Sequence, residues 1–254
     1  MIGRYDAAIG GTWLSEISEQ IIVTDIREEE AKSRIFTANR AIGDGLRFIR
    51  RQRQSVGVSI SFVIWEQDTE RRKDILSRVQ AWANGAEIQQ LQISDRRGQF
   101  LLVRCTEPPS MASTANWQDE IRMLFTAYEL PIWQDSEQAR ATITGMGTLF
   151  VPGSGETLVD VEITNNGGTA NAVTVSCGED SMTFSGISLG KGQTLSISHD
   201  ERGLLSAKIG SASVLANRTA ESADDLTAVC GAYNHITVSG GTLSAVFKAR
   251  GVYL

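Results

Sequence analysis

Apolar and polar positions alternate through most of the chain, and the alternation gives way to a helical period once. The strongest alternation is Val56-Gly57-Val58-Ser59-Ile60-Ser61-Phe62-Val63-Ile64-Trp65, where Val56, Val58, Ile60, Phe62 and Ile64 share one face of a predicted strand. Residues 20–26 (QIIVTDI) have strand composition, and a charged stretch, Arg27 to Arg34, follows. Asp68 or Thr69 is placed to cap a helix whose apolar stripe is Ile75, Leu76, Val79, Trp82 and Ala83, with Asn84-Gly85 as its stop. Such a stripe is expected to pack on a sheet. Two further strands, Glu87 to Ser94 and Gln99 to Thr106, flank Asp95-Arg96-Arg97-Gly98 and read as a hairpin that ends before Pro108-Pro109. Ile121, Met123, Phe125 and Ala127 alternate on a last strand that stops at Leu130-Pro131.

Beyond residue 150 the pattern is strands only. They are predicted at Leu158–Thr164, Val173–Cys177, Met182–Phe184, Thr194–Ser198, Leu204–Ile209, Leu226–Val229, His235–Val238 and Leu243–Phe247. Asn165-Asn166-Gly167-Gly168 marks a turn after the first, and Gly240-Gly241 marks a tight hairpin turn between the last two. Short strands at this spacing predict a sandwich or barrel.

Composition divides the chain at the same place. Residues 1–140 hold 18 Lys/Arg, 20 Asp/Glu, all five tryptophans and 8 glycines, whereas 141–254 hold 6 Lys/Arg, 10 Asp/Glu, no tryptophan and 16 glycines. Two units are expected, 1–145 and 146–254, which suits a length of 254 residues. Thr144-Gly145-Met146-Gly147 and Val151-Pro152-Gly153-Ser154-Gly155 read as linkers around one short connecting strand, 148–151. The fold class predicted is mainly β: an α+β N-terminal domain with one main helix, then an all-β domain.

Charge and cysteines narrow the function. A formal charge of −6 argues against a nucleic-acid binder that works by bulk charge. The opening residues lack the basic start and apolar run of a signal peptide. The longest uncharged stretch, Leu226 to Phe247, carries Asn234, His235 and three glycines and reads as strands and turns, not as a membrane anchor. Cys105, Cys177 and Cys230 are odd in number and widely spaced, as expected of reduced, half-buried thiols.

Candidate chemistry is sparse. Gly186-Ile187-Ser188-Leu189-Gly190 matches the letters of a nucleophile elbow, with Asp224 or Asp225 and then His235 in the right chain order. The elbow needs a strained turn from a strand into a helix, but the residues after Ser188 read as another strand, so a β-turn between strands is the expectation. Gly186 to Thr194 is one residue short of a phosphate loop, and Gly192 stands where Ser or Thr is required. His199 and His235 lack partners at metal-ligand spacing. The acidic pairs Glu179-Asp180, Asp200-Glu201 and Asp224-Asp225 read as solvated loops before calcium loops. Carboxylate pairing for glycoside hydrolysis would be spatial, and sugar-stacking tryptophans are missing from the β-unit. Asn217-Arg218-Thr219 has the letters of a glycosylation acceptor without a secretion signal to give it meaning. Arg47, Arg50, Arg51 and Arg53 form a basic cluster that reads either as a contact for an acidic partner surface or as a solvated loop facing Glu28-Glu29-Glu30. No catalytic, cofactor-binding or metal-ligating residue is assigned and no cofactor is expected. Exposed sheet edges need to be covered, closed or paired with another chain, which favours an assembly part over an enzyme.

Taken in order, the pieces VGVSISFVIWEQDTERRKDILSRVQAWA (Val56 to Ala83), SDRRGQFLLVRC (Ser94 to Cys105), LPIWQ (Leu130 to Gln134), SADDLTAVCGAYNHITVSGG (Ser222 to Gly241) and the tail Ala249 to Leu254 resemble the distal tail proteins of siphophages, the siphophage tail component family. The resemblance spans nearly the whole chain and lies in order and spacing. It implies an N-terminal ring-forming, tube-attachment domain and a C-terminal galectin-like β-sandwich. It also implies a structural virion protein at the phage tail tip, made in the host cytoplasm. Such a protein is a hexameric ring and baseplate hub joining the tail tube protein to the tail-tip protein, holding receptor-binding proteins, with DNA passing only through the lumen. At this length there is no room for an inserted carbohydrate-binding module. The contacts expected are heterologous ones that close around an axis, with strand Val56 to Trp65 and the hairpin at Asp95 to Gly98 as the ring-forming sheet. Two other classes remain, a carbohydrate-binding adhesin and a hydrolase acting through Ser188.

Overall fold

The computed structural model describes residues 5–29, 32–39, 46–85, 87–111, 116, 118–128, 130–200 and 203–253; for 32–34, 36–39 and 46–53 the description is of the backbone. The chain divides into two compact units, Met1–Trp133 and Gln134–Leu254. Each is mainly β.

The first unit runs β1 (Ala7–Ile9), β2 (Thr12–Trp13), α1 (Leu14–Ile17), β3 (Ile21–Glu28), β4 (Lys32–Asn39), β5 (Leu46–Ile64), α2 (Thr69–Ala83), β6 (Gln89–Ile93), β7 (Gln99–Glu107) and β8 (Ile121–Ala127). Strand β5 organises it. Its second half pairs with β3 on one edge and β8 on the other, all antiparallel. β8 continues into β7, and β7 pairs through β6 to β1 and β2. Val58, Ile60, Phe62 and Ile64 are buried as the period-two pattern requires. Helix α2 starts where Asp68 accepts hydrogen bonds from the backbone N–H groups of Glu70 and Arg71, and it ends at Asn84. It buries Ile75, Leu76, Val79 and Ala83, while Trp82 meets Phe125 of β8 edge-on, with ring centroids 6.0 Å apart. Full burial of an aliphatic side chain contributes about 1.5–3 kcal/mol, so this stripe, not helix propensity, fixes α2 on the sheet.

One element of this unit differs from the pattern reading. The basic cluster is not in a loop: residues 46–55 extend β5 backwards and pair with β4 in a long hairpin, with Ile35 opposite Arg51 and Ala38 opposite Arg47. The charged stretch after residue 27 supplies the end of β3 and the start of β4.

The second unit contains β9 (Trp133–Ile143), β10 (Met146–Phe150), β11 (Glu156–Asn165), β12 (Ala170–Cys177), β13 (Asp180–Leu189), β14 (Thr194–His199), β15 (Leu205–Ile209), β16 (Ala212–Ser213), β17 (Thr227–Val229), β18 (Tyr233–Ser239) and β19 (Leu243–Tyr253). One sheet contains the run β16-β15-β14-β11-β19-β9, with β17 beside the start of β11. The other has the order β10-β18-β12-β13. Each sheet buries alternate residues: Val159, Val161, Ile163, Ala245 and Phe247 in the first, Val173, Val175, Met182, Phe184 and Ile236 in the second. Two antiparallel sheets, each with one buried face, form a sandwich, one of the two architectures that the spacing predicts.

Three local expectations are corrected here. Residues 146–150 are not a connector between linkers but β10, the edge strand of the four-stranded sheet, in register with β18. Gly240-Gly241 does not close a hairpin, because β18 and β19 belong to different sheets; the turn carries the chain from one sheet to the other. Gly240 has φ +116°, and a Cβ there would meet the Ala172 carbonyl oxygen at 2.2 Å, so only glycine makes this crossing. Ser188 lies in β13, not in a turn. The register irregularity between Ala170 and Ala172, with Gly186 opposite at φ +68°, absorbs the glycine as a bulge, and the turn comes later, where Gln193 N–H donates to the Gly190 carbonyl.

Candidate functional site

The residues that chain order offered as a triad do not converge. Ser188 is exposed on β13 and His235 is exposed on β18. Asp224 is engaged by Arg218, whose Nη1 donates to its backbone carbonyl at 2.7 Å. Asp225 faces the other histidine: its Oδ1 lies 3.3 Å from His199 Nε2. The paired acids have structural partners: Asp180 Oδ2 accepts from the N–H and hydroxyl of Thr227, and Asp200 Oδ1 accepts from Leu204 N–H.

In the second unit His199, which the sequence reading weighed only as a metal ligand, has a buried side chain with two carboxylate partners. It ends β14, and Asp160 on the neighbouring strand β11 accepts both its backbone N–H, at 2.9 Å, and stands 3.0 Å from Nδ1. The Asp160 hydrogen bond raises the histidine above its ordinary 6.5 against the opposing effect of burial, and Asp225 adds to the rise. Each ring nitrogen has its own carboxylate, so the trio holds a proton and does not present a chelating face to a metal. No group of three metal-ligating side chains occurs among the described residues. Cys105 and Cys177 are unsuited to nucleophilic work. Burial raises the thiol of Cys105, and burial with the charge of Asp180 pushes that of Cys177 up to about 11.

What the first unit presents is shape, charge and a rigid hairpin. The turn between β6 and β7 is pinned to the end of β3: Arg96 gives Nε to Glu28 Oε1 at 2.6 Å and Nη2 to Oε2 at 3.1 Å. Trp133 donates Nε1 to the same Glu28 Oε2 at 3.0 Å, and the guanidinium lies 5.0 Å from the Trp133 ring centroid. Next to this clamp, a shallow cleft of about 250 Å³ opens between β5, β7 and β8, lined by Glu29, Gly57, Thr106, Glu107, Thr126 and Tyr128. It is polar and small against ligand pockets of ~300–1,000 Å³.

Charge is unevenly spread. Residues 32–53, which hold the β4–β5 hairpin, contain seven Lys/Arg and one Asp, a net +6 inside a chain of −6, which leaves −12 on the remainder. No described helix is long and apolar enough to cross a membrane.

No protein-family model matches the chain, and no curated protein does. Solved structures do. The chain is similar in fold to the Dit protein of phage SPP1, described as a paradigm of the hub adsorption apparatus in phages that infect Gram-positive bacteria. The TM-score is 0.74 at 8% identity, covering 97% of this chain and 98% of that one. It is also similar to a chain of the phage P2 baseplate in its activated, calcium-containing conformation, with a TM-score of 0.52 at 8% identity over 97% and 98% of the two chains. Both units, in order, thus carry a fold found in phage tail hub and baseplate components.

Proposed function

We propose that this chain is a distal tail protein, a structural component of a phage tail tip that closes into a ring and joins the tail tube to the tip or baseplate. The observation that carries this reading is the likeness to the SPP1 Dit fold over 97% of the chain, both units in order. The residues agree with it. Among the described residues the serine, histidine and acids form no catalytic constellation, and the polar clusters that do form hold strands and turns together.

The ring would be a hexamer built from heterologous contacts, the same two unlike patches repeating around an axis. One patch is the β4–β5 hairpin with its net charge of +6; the other is acidic surface on the next copy. The second half of β5, continuous with the basic hairpin, and the clamped hairpin at Asp95–Gly98 would supply the rest of the ring-forming sheet. An acidic remainder suits a passage through which DNA must slide without being held, since phosphates are repelled by it. The second unit would face the tip proteins and the receptor-binding proteins. The site of action is the virion tail tip.

Light scattering coupled to size exclusion, with negative-stain images of the same fractions, tests the reading. A closed ring of six copies is the expected result. A single-copy mass at micromolar protein in low salt, with no ring in the images, overturns it.

A further inference from the structure

The four-stranded sheet of the second unit treats its two edges in opposite ways. The β13 edge is covered by residues 214–223 of the same unit. Arg218 bridges to Phe184, Thr219 N–H donates to the Thr183 carbonyl at 2.9 Å, Ala223 N–H donates to that of Ser181 at 2.8 Å, and Asn217 Nδ2 donates to that of Ser185 at 3.1 Å. The β10 edge has no strand beyond it among the described residues.

The register shows which backbone groups that edge offers. Val238 N–H donates to the Gly145 carbonyl, and the pairs Gly147–Ile236 and Leu149–Asn234 continue the same phase. In an antiparallel ladder the alternate residues turn their N–H and C=O outward, which here are Met146, Thr148 and Phe150. The side chains of these three residues are also exposed, Met146 at 76% and Phe150 at 47%. Phe150 packs on Tyr233, itself 76% exposed, with ring centroids 5.1 Å apart. The usual protections of an edge are absent: neither β10 nor β18 contains Lys, Arg, Asp, Glu, Pro or a bulge.

We infer that the β10 edge is a docking site for an extended, uncharged segment of another polypeptide, which adds as a further strand and sets apolar side chains beside Met146 and Phe150. The size of the patch selects this occupant. Met146, Phe150 and Tyr233 together expose roughly 400 Å² of mostly apolar surface, about what the largest patch on a monomer reaches. A stable globular interface needs about 800 Å² from each partner, so a second folded copy is poorly matched, whereas a strand of five or six residues gains affinity from main-chain hydrogen bonds and needs only shallow side-chain contacts. The absence of charge along both strands selects an uncharged face on the incoming segment. The site lies outside the ring surfaces named above and stands whether or not the chain closes into a ring.

The test uses the full chain and a labelled, end-blocked, uncharged heptapeptide, Thr-Val-Ser-Val-Ser-Val-Thr, followed by fluorescence anisotropy. Saturable binding is expected, with no binding by the same peptide N-methylated at every internal amide, because the side chains then remain while the ladder donors are gone. Met146→Lys and Tyr233→Lys, both at exposed positions that leave the fold's thermal midpoint in place, are expected to weaken binding at least about tenfold. Ser188→Lys, on the covered side of the sheet, leaves it unchanged. Lack of saturable binding, equal binding of the N-methylated peptide, or indifference to both β10–β18 variants overturns the inference. So does a dimer that Met146→Lys dissolves and the peptide leaves intact, since the occupant is then a second copy.

Discussion

Asn165 donates through Nδ2 to the backbone carbonyl of Leu189 at 2.7 Å from a fully buried position at the end of β11. The same amide donates to the Gly168 carbonyl at 2.6 Å, and its Oδ1 accepts Gly167 N–H at 2.9 Å. One side chain therefore fixes the crossing from β11 to β12, in different sheets, and ties it to the end of β13. Asn165→Ala takes this donor from the buried Leu189 carbonyl, and a buried group left without its partner costs about 1–3 kcal/mol. Urea unfolding of the second unit is expected to show a loss of about 2–3 kcal/mol for Asn165→Ala. Asn165→Asp is expected to lose more, since a carboxylate then faces two carbonyl oxygens. Asn166→Ala, exposed and bonded to the Ser244 hydroxyl, is the near-neutral control.

The clamp on the β6–β7 turn makes a second prediction. Arg96 holds Glu28 with two parallel donors and lies on Trp133, a geometry that an ammonium cannot reproduce. Both partners are about one-third exposed, so solvent screens the pair and the loss is modest. Arg96→Lys is expected to destabilise the first unit by about 1 kcal/mol, and added salt is expected to narrow the gap to wild type. An Arg96→Lys protein as stable as wild type at low salt would show that the turn holds itself.

How much of this was legible depends on whether the signal was local. Val56 to Ile64, the α2 stripe, and β6 to β8 were readable because each buries one face and so carries its own period. The β4–β5 hairpin was hidden because its strands hold basic residues where an alternating strand would show apolar ones, and backbone pairing forms it. The Gly240 turn was misread for a different reason: two adjacent strands look like a hairpin until long-range pairing puts β18 beside β10 and β12, and β19 beside β11. Arg96 and Trp133 lie 68 and 105 positions from Glu28, so no spacing rule finds the cluster. His199 was weighed only as a metal ligand and His235 only as a triad member, since chain order is silent on which histidine is carried to an aspartate on the next strand.

His199 gives the second unit a defined pH response. Its folded value is raised above 6.5, first by Asp160. A raised value means that the folded state binds the proton more tightly than the unfolded chain does. The contribution is thus complete below pH 6.5 and is lost as pH climbs through the folded value. Thermal midpoints of wild type and His199→Gln, compared from pH 5.5 to pH 9, are expected to differ most at the acid end and to converge as pH rises. A difference that grows with pH would mean that burial, not the two carboxylates, governs the ring and holds it neutral.

The uneven charge predicts how the ring responds to salt. If the basic hairpin of +6 meets acidic surface on the next copy, assembly weakens as salt rises, because the Debye length contracts from about 10 Å at 0.1 M to about 3 Å at 1 M. An interface closed by apolar burial alone responds weakly to chloride and strengthens in sulfate, so the sign separates the two. Reversing two charges, Arg50→Glu with Arg51→Glu, is expected to shift the assembly midpoint at least about tenfold towards higher protein concentration and to flatten its salt dependence. Lys191→Glu changes net charge on an exposed turn of the second unit and is expected to leave the midpoint where it was. Analytical ultracentrifugation across salt reads all three proteins. Rings that form equally well with the arginines reversed and at every salt concentration would remove the hairpin from the interface and leave the second half of β5 and the Arg96 turn as the surfaces to vary next.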